Sequence, residues 1–465
     1  MPGARSLVHP YIPNSVPEIK DAMLREVGAA DIDELYGAIP ERLRLRRPLA
    51  LEPALRSELE LRRHLETMLA RNGSCRETLS FLGGGCWPHY VPAVVDEVIN
   101  RGEFLTAYYG ESYTDHGKLQ ALFEYASLIG ELVELDAVSQ PTYDWASAAA
   151  TALCMCGRVA GRRQALVPAS ISPERLAVMR GYCGPWIDLE LVPFDGATGL
   201  LDLDALRAAL GDGTACVYVE NPGYLGTIET QVAQIASLAH DAGAFVVVGV
   251  DPISLGVLEA PPRYGADVVC GELQPLGVHM HYGGGLAGFV ATSDEERWVA
   301  EYPTFLIGMT PTVVEGEYGF GEVAWERMSY VQRGDAKEYG GTTQNLWAIA
   351  VAVYLSLLGP QGIEELGRGC MQRARYAAAR LSALPGVEAP ALSGPVFKEL
   401  VVSFSGTGKT AAEINERLLE RGIYGGKDIS GEFPKLGQSA LYCFTEVHAQ
   451  ADIDRLVATL GEVLR

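Results

Sequence analysis

The sequence predicts an α/β protein with a mostly parallel central sheet, followed by a small C-terminal α+β domain. The first observation behind this prediction is an alternation of short apolar runs and helical segments between about residues 118 and 300. Apolar β runs separated by helices are typical of a parallel sheet covered on both faces. The second is a further set of two strands and two helices near the C-terminus. The third is size and composition, since 465 residues that are 48% hydrophobic can bury a large core and form two or three domains.

The individual elements follow from the periodicity of the apolar residues. An amphipathic helix is expected at 55–71, with Leu61, Leu65, Met68 and Leu69 on one stripe. Further helices are expected at 118–133, 145–158, 173–181, 203–210 and 229–242, with strands at 164–168, 188–193, 215–220, 245–250, 266–270 and 287–292. Helices at 343–358 and 361–383 then lead to strands near 398–404 and 439–444 and to helices at 410–421 and 450–463. We therefore expect an N-terminal arm over 1–70 that packs on the body or on a partner, a large domain over 71–359 and a small domain over 360–465.

Charge and cysteine content exclude several classes of protein. The net charge of −22 argues against binding to nucleic acid or anionic lipid, because phosphate neutralisation needs a surplus of Lys and Arg. The nine cysteines are odd in number and lie mostly in apolar runs, which indicates reduced thiols. Cys154 and Cys156 have no second pair at metal spacing, so no metal site is expected. With no apolar signal core at the N-terminus and no apolar run long enough to span a bilayer, we expect a cytoplasmic protein.

Asp251 is the first candidate for chemistry, since it directly follows the apolar strand predicted at 245–250. In an open α/β sheet the carboxyl ends of the strands face the ligand crevice. A buried Asp at that edge can pair with a protonated ring nitrogen, as in enzymes that use pyridoxal phosphate. The alternative is an Asp that caps a turn or a helix. The next strand and its glycine-rich return, residues 282–288 (YGGGLAG), complete a pattern similar to the floor of a fold-type-I pyridoxal-phosphate site.

Several short motifs, which follow one another along the chain, identify a specific family resemblance. They are residues 9–14 (HPYIPN), 81–85 (FLGGG), 89–96 (HYVPAVVD), 119–125 (LQALFEY), 251–256 (DPISLG) and 422–427 (GIYGGK). Nearly end to end, the chain resembles the alpha-type subunit of the split P-protein, the glycine dehydrogenase (decarboxylating) of the glycine cleavage system. The resemblance implies the fold of a pyridoxal-phosphate-dependent transferase. It also implies a heteromer in which a beta-type partner of the same fold supplies the lysine that holds the cofactor.

Two departures from the catalytic pattern suggest that this chain's own cofactor pocket is vestigial. In register with the partner's His-Lys-Thr motif the chain reads Leu273-Gln274-Pro275, so Gln274 stands at the lysine position. An amide cannot form an imine with the cofactor aldehyde. The turn that would hold the cofactor phosphate reads TYDWAS over residues 142–147, where Asp144 and Trp145 bring a negative charge and a bulky ring. We therefore expect no catalytic residue in this chain and pyridoxal phosphate bound mainly by the partner, with Asp251 kept as a vestige.

A chain without the lysine can still help to build its partner's site, because fold-type-I sites lie at subunit interfaces. In the loop at 339–344, Thr342 or Thr343 is expected to donate to the partner's cofactor phosphate, with a helix N-cap as the alternative. Along the family's substrate path, Tyr108, Tyr109 and Tyr113 are candidate contacts, with simple packing as the alternative. His116 belongs to the same segment, and a structural role is the alternative there. The segments at 107–117 and 336–344 depart from the family pattern, while the scaffold motifs are retained.

Three functions remain open at this stage. The main hypothesis is the alpha subunit of a heteromeric glycine decarboxylase, which completes the site of a lysine-bearing beta subunit and passes the aminomethyl group to a lipoyl carrier protein. The second is the same architecture acting on another amino acid in specialised metabolism, by decarboxylation or carbon–carbon bond formation. The rewritten loops at 107–117 and 336–344 motivate it. The third is a non-catalytic scaffold or regulatory subunit that lends no residues.

Overall fold

The computed structural model describes residues 16–47, 49–55, 57–75, 77–105 and 116–465. The chain forms two compact units, Met1–Gly73 and Ser74–Arg465. The further division predicted at residue 359 falls within the second unit and stays a prediction.

The first unit contains three short helices, α1 (Pro17–Glu26), α2 (Ile32–Leu35) and α3 (Glu58–Leu69). Helix α3 begins after Ser57, whose hydroxyl accepts a hydrogen bond from the Glu60 N–H and so satisfies one free donor of the first turn. The helix expected at 55–71 is thereby confirmed with shorter bounds. Its apolar stripe is exposed, at 43% for Leu61, 47% for Leu65, 54% for Met68 and 59% for Leu69.

The second unit contains the remaining elements. Its helices are α4 (Ala93–Ile99), α5 (His116–Val133), α6 (Trp145–Ala160), α7 (Pro173–Cys183), α8 (Leu203–Ala209), α9 (Val232–Asp241), α10 (Glu296–Val299), α11 (Asn345–Leu381), α12 (Ala411–Leu419) and α13 (Gln450–Val463). Its strands are β1 (Leu79–Ser80), β2 (Ala137–Val138), β3 (Gln164–Pro168), β4 (Asp188–Val192), β5 (Thr214–Glu220), β6 (Phe245–Val250), β7 (Val268–Glu272), β8 (Gly288–Thr292), β9 (Ile307–Pro311), β10 (Tyr318–Glu322), β11 (Glu399–Ser403), β12 (Ile423–Tyr424), β13 (Lys427–Asp428) and β14 (Ser439–Cys443).

A seven-stranded sheet organises this unit, in the order β2-β8-β7-β6-β5-β3-β4. Strands β7, β6, β5, β3 and β4 run parallel, while β8 is antiparallel to β7 and β2 is antiparallel to β8. Strand β5 is buried along its whole length and β6 almost so, as expected for strands covered on both faces. The mostly parallel α/β architecture is therefore confirmed, and the predicted strand bounds are correct to within two residues.

The span labelled α11 covers the two helices predicted from the sequence, which meet at Gly359 and Pro360. Gly359 adopts a φ of +60° and is followed by Pro360, which has no N–H to donate, so the helix is kinked there. Among the described residues, the span Asn345–Leu381 is long and apolar enough to cross a membrane by length and composition, but Ala348, Val351 and Leu355 lie in the protein core. The predicted start at 343 is wrong by two residues, since α11 begins at Asn345.

The C-terminal part contains a three-stranded antiparallel sheet in the order β11-β14-β13. Helices α12 and α13 pack against it, and their leucine and isoleucine side chains share a core with β11 and β14. Several strands were not predicted: β1 pairs with β12 in parallel, β9 pairs with β10 as a hairpin, and β2 and β13 extend the two larger sheets. The first of these ties residues 79–80 to the C-terminal part.

Candidate functional site

Three acidic residues mark the carboxyl ends of neighbouring parallel strands. Glu220 ends β5, Asp251 follows β6 and Glu272 ends β7. Because these strands are parallel and adjacent, their ends meet at one edge of the sheet, where ligands of α/β proteins bind. All three side chains are buried. Three buried carboxyl groups at one edge need counter-charges or hydrogen-bond donors, and the structure provides them from this chain.

Asp251 is paired with a lysine from the C-terminal part of the chain. The Lys398 Nζ lies 2.6 Å from Asp251 Oδ2, and both side chains are almost inaccessible to solvent. The same ammonium lies 3.7 Å from the centre of the Trp87 ring, a cation–π contact. Burial by itself would lower the pKa of Lys398, but Asp251 outweighs it and the pKa is raised, so the side chain is a cation.

The second oxygen of Asp251 caps the turn that follows the strand. Asp251 Oδ1 accepts a hydrogen bond of 3.2 Å from the Ile253 N–H, at the start of a 3₁₀ helix over Pro252–Gly256. The turn-capping alternative for Asp251 is therefore correct. Asp251 also pairs with a positive charge, but that charge is the Lys398 ammonium and not a cofactor ring nitrogen.

The ion pair continues through a histidine to a second carboxylate. The Lys398 Nζ lies 3.0 Å from Nε2 of His89, whose Nδ1 lies 2.8 Å from Glu446. An ammonium can only donate, so Nε2 accepts and Nδ1 carries the ring proton donated to Glu446. Burial would raise the pKa of Glu446, but His89 and the Tyr90 N–H outweigh it and lower the pKa to about 2. The result is a chain of alternating donors and acceptors from Asp251 to Glu446.

The same tautomer bears on metal binding at this cluster. The ligand atoms of His89, Cys370 and Glu446 lie within 4.8 Å of one another, close enough for a metal ion. However, Nδ1 of His89 carries a proton, and burial raises the pKa of the Cys370 thiol to about 12. In this arrangement His89 and Glu446 form a hydrogen-bonded pair next to Lys398, with the Cys370 Sγ 3.9 Å from the Glu446 carboxyl.

Gln274 is buried and fully used in hydrogen bonds to the backbone. Its Nε2 donates to the carbonyl oxygens of Trp87, at 3.1 Å, and Val278, at 2.9 Å, while its Oε1 accepts from the Trp87 N–H at 3.0 Å. Both backbone groups of Trp87 are thus held by one amide. The residue at the predicted lysine position therefore fixes the ring against which Lys398 packs.

The start of helix α6, where a phosphate would bind, is already occupied by carboxylates. Asp144 is the N-cap and accepts from the Ser147 N–H at 2.7 Å, while the Ser147 hydroxyl accepts from the Asp144 N–H in a capping box. The Trp145 N–H donates to Glu272 Oε2 at 3.1 Å. A phosphate at this point would meet the Asp144 carboxylate in place of free N–H donors.

The ring of Trp145 fills the space between the helix and the sheet. The Arg175 guanidinium lies 3.9 Å from the centre of that ring and 2.5 Å from Glu220. Glu220 also accepts from the Tyr218 hydroxyl at 3.0 Å. The second strand-end acid is thereby paired, as Asp251 is with Lys398.

Together these contacts leave little room for pyridoxal phosphate in the part of this pocket that the described residues form. The cavity between Trp87, Trp145, Asp251 and Lys398 is about 20 Å³ in volume, room for about one water molecule. A more open cleft of about 390 Å³ in front of α6 is lined by Asp144 and Trp145 but does not reach Asp251. The ring-nitrogen partner is taken, the phosphate position carries a carboxylate, and the lysine position carries an amide. The residues present do not fit the cofactor.

The loop at 336–344 is attached firmly to the large sheet and its helices. Glu338 accepts from Arg158 Nη1 at 3.1 Å and from the hydroxyl of Tyr182. The Gly340 N–H donates to the Pro303 carbonyl at 2.7 Å, and the Tyr339 ring stacks on Tyr330 with 4.6 Å between centroids. The loop is therefore held in place although its tip is exposed.

Thr342 and Thr343 lie on this loop. Thr342 is exposed and its hydroxyl contacts the hydroxyl of Tyr143, while Thr343 is half-buried. The N-cap alternative for these threonines is wrong, because α11 is preceded by Gln344, and no side chain caps that helix. Tyr108, Tyr109 and Tyr113 lie outside the described residues. His116 is the first residue of α5, and its side chain also lies outside them.

Sequence reasoning missed Lys398, His89, Glu446 and Arg175. Lys398 carried a weak signal, since it lies with Glu399 at the start of an otherwise apolar run, where a buried lysine needs an anion. Arg175 carried none, because a charged residue in the first turn of a helix is ordinary. Both pairings join segments that are remote in sequence.

Comparison with known proteins shows the family of this chain. The glycine cleavage system P-protein family model matches residues 9–460. The probable glycine dehydrogenase (decarboxylating) subunit 1 of Staphylothermus marinus is 40% identical over 98% of both chains, and that of Geobacillus kaustophilus is 37% identical over 98% of this chain and 99% of the relative.

Solved structures extend the comparison to the fold. A crystal structure of glycine decarboxylase (P-protein) of the glycine cleavage system, in inhibitor-bound form, is 35% identical, with a TM-score of 0.84 over 98% of this chain and 100% of that chain. The apo cysteine desulfurase of Thermococcus onnurineus NA1, at 16% identity and a TM-score of 0.63 over 84% and 95%, shares the fold alone. The fold is thus that of the fold-type-I pyridoxal-phosphate-dependent enzymes, and the chain belongs to the glycine cleavage system P-protein family.

Proposed function

We propose that this chain is the non-lysine-bearing alpha subunit of a heteromeric glycine decarboxylase. The observation that carries the proposal is the closed pocket: on a P-protein scaffold, Gln274 stands at the lysine position and Lys398 is paired with Asp251. Such a chain can serve the reaction through a partner that has both the lysine and an open pocket. Relatives of nearly equal length are named as subunit 1, which implies a second subunit.

The partner is a beta-type chain of the same fold that binds pyridoxal phosphate and decarboxylates glycine. The aminomethyl group then passes to the lipoyl arm of a carrier protein. This chain contributes surfaces, with Thr342 and Thr343 donating to the partner's cofactor phosphate and Tyr108, Tyr109 and Tyr113 lining the path of the substrate. The anchoring of the 336–344 loop by Glu338 supports the first of these roles, because a donor must be held in place to bind phosphate well. The complex is expected in the cytoplasm.

Co-expression with a lysine-bearing partner tests the proposal. The pair should co-elute, bind pyridoxal phosphate and catalyse exchange of the glycine carboxyl group with labelled bicarbonate in the presence of a lipoyl carrier protein. Borohydride reduction followed by peptide mass mapping should place the cofactor on the partner chain. Cofactor trapped on this chain, or failure of the two chains to associate, would refute the proposal.

A matched pair of threonine variants tests the loop. Thr342→Val should weaken cofactor binding by the pair by about ten- to a hundredfold, because a hydrogen bond to a charged group contributes about 1.5–3 kcal/mol. Thr459→Val, at a hydroxyl that bonds only within its own helix, should leave that affinity unchanged. Equal effects of the two variants would exclude a contact between Thr342 and the cofactor.

A different substrate remains the alternative, motivated by the rewritten segments at 107–117 and 336–344. A pair that binds cofactor and ignores glycine, but exchanges the carboxyl group of another amino acid, would favour it. A pair in which no variant of this chain alters activity would favour the scaffold role.

A further inference from the structure

We propose that Lys398 is a built-in replacement for the positively charged ring nitrogen of the cofactor, and that it holds the vestigial pocket closed. The inference rests on the proposed function, since it takes this pocket to descend from a cofactor site. The inference goes beyond that function because it assigns the Lys398–Asp251 ion pair a role in keeping the pocket closed.

The first argument is charge. Asp251 lies at a strand end with only 4% of its surface exposed, and one of its oxygens receives only the Ile253 N–H. A carboxylate buried in this way is strongly unfavourable unless a cation neutralises it. In a pocket without cofactor that cation must come from the protein, and Lys398 Nζ supplies it at 2.6 Å.

The second argument is the origin of Lys398. It directly precedes β11 of the three-stranded sheet, and its carbonyl accepts from the Phe444 N–H at 2.8 Å, so its backbone is fixed to that sheet. Its side chain ends at the carboxyl edge of the seven-stranded sheet. One side chain thus connects the two sheets across the space that a cofactor ring would need.

The third argument is that neighbouring side chains support Lys398. Gln274 holds both backbone groups of Trp87, and the Trp87 ring lies against the ammonium at 3.7 Å. His89 accepts a hydrogen bond from the ammonium on another side, and its other ring nitrogen donates to Glu446. The residue at the predicted lysine position therefore positions the ring that supports Lys398, so the two side chains act together.

Removal of the side chain with chemical replacement tests the proposal. Lys398→Ala deletes three methylene groups and the ammonium, so n-propylammonium matches what is lost. In the full-length chain, this variant should show a lower Tm than wild type, and millimolar n-propylammonium should raise the Tm of the variant more than that of wild type. Tetramethylammonium, which is too wide, should not. Lys435→Ala, at an exposed lysine, is the control and should show no rescue.

A double variant decides the matter if Lys398→Ala does not fold. Lys398→Met leaves a buried unpaired carboxylate and should be much less stable than wild type, whereas Asp251→Asn with Lys398→Met removes both charges and should recover most of the loss. If the double variant is no more stable than the single one, or if n-propylammonium stabilises both alanine variants equally, the charge-replacement role is refuted. These are stability readouts on this chain, so they stand apart from whether its partner complex acts on glycine.

Discussion

At the scale of single residues, Glu446 is where the buried chain of charges approaches solvent, since its side chain is 22% exposed. Its pKa of about 2 in the folded protein lies below the usual value of 4.5. A carboxyl group with a lowered pKa stabilises the fold above about pH 4.5, and that stabilisation is lost as the pH falls towards 2.

The variant Glu446→Gln tests this linkage. It should lower the free energy of unfolding by up to about 3 kcal/mol at neutral pH, and the difference from wild type should shrink between about pH 5 and pH 3. Urea unfolding across that range measures it, with the exposed Glu416→Gln as control. A difference that does not depend on pH would mean that Glu446 acts only through packing.

A second prediction concerns Gln274→Lys. Restoring a lysine at this position should not restore cofactor binding, because Lys398, Asp144 and Trp145 still occupy the pocket. It should also destabilise the chain by roughly 2 kcal/mol or more, since the hydrogen bonds to Trp87 are lost. Absorbance spectra after incubation with pyridoxal phosphate and urea unfolding check both parts, with exposed Gln120→Lys as the matched control. Stable, reducible cofactor on the variant would contradict the prediction.

What could be predicted at this scale depended on motif and register. Asp251, Gln274 and Asp144 were found because each lies in a local pattern, at the end of a strand or in a helix-starting turn. Lys398 was not found because its partner is fixed only when the two sheets pack together. The identity of a buried counter-charge is a tertiary property, and a single sequence gives no distance between remote segments.

At the scale of elements, an ion pair is one of the contacts that hold the 336–344 loop. Arg158 of helix α6 reaches both Glu301, at 2.5 Å, and Glu338, at 3.1 Å. Glu338 therefore connects a loop with an exposed tip to the core of the large sheet, while Arg158 keeps a second partner if Glu338 is removed.

Glu338→Ala should loosen this loop without unfolding the chain. We expect a loss of about 1–2 kcal/mol in stability, faster amide hydrogen exchange confined to about residues 336–344, and weaker cofactor binding by the assembled pair. Hydrogen-exchange mass spectrometry and cofactor titration measure these effects. The exposed Glu326→Ala serves as control. Unchanged exchange in the loop would show that its other contacts suffice.

The elements differ in how well they could be predicted. Strands β3, β5 and β6 are continuous apolar runs between helices, so their position and direction followed from pattern alone. The β9–β10 hairpin is half-exposed and rich in glycine, which gives no such pattern. Helix α11 was divided at Gly359 and Pro360 because both residues disrupt helices, and the structure agrees, since Gly359 has non-helical backbone angles (φ 60°, ψ −176°) inside this span.

At the scale of the whole molecule, the closed pocket predicts the cofactor content of the complex. If this chain is paired as proposed, one pyridoxal phosphate should be found for each pair of unlike chains, because the pocket of this chain is closed. Alkaline release and quantification of the cofactor, against chain amounts from amino-acid analysis, measures the ratio. A ratio near one per chain would contradict the closed pocket, whereas the isolated chain should yield none.

The contact between Trp87 and the Lys398 ammonium has an optical consequence. A fixed positive charge 3.7 Å from an indole ring alters the energy of its excited state, so the near-ultraviolet absorption and emission of Trp87 depend on whether the cation is present. The spectrum of a Trp87→Phe variant gives the signal of the other five tryptophans. Subtracting it from the wild-type spectrum leaves the signal of Trp87, which reports on this pocket. Its signal lies away from the visible bands of any cofactor held by a partner, so the two halves of a complex could be followed separately in one cuvette.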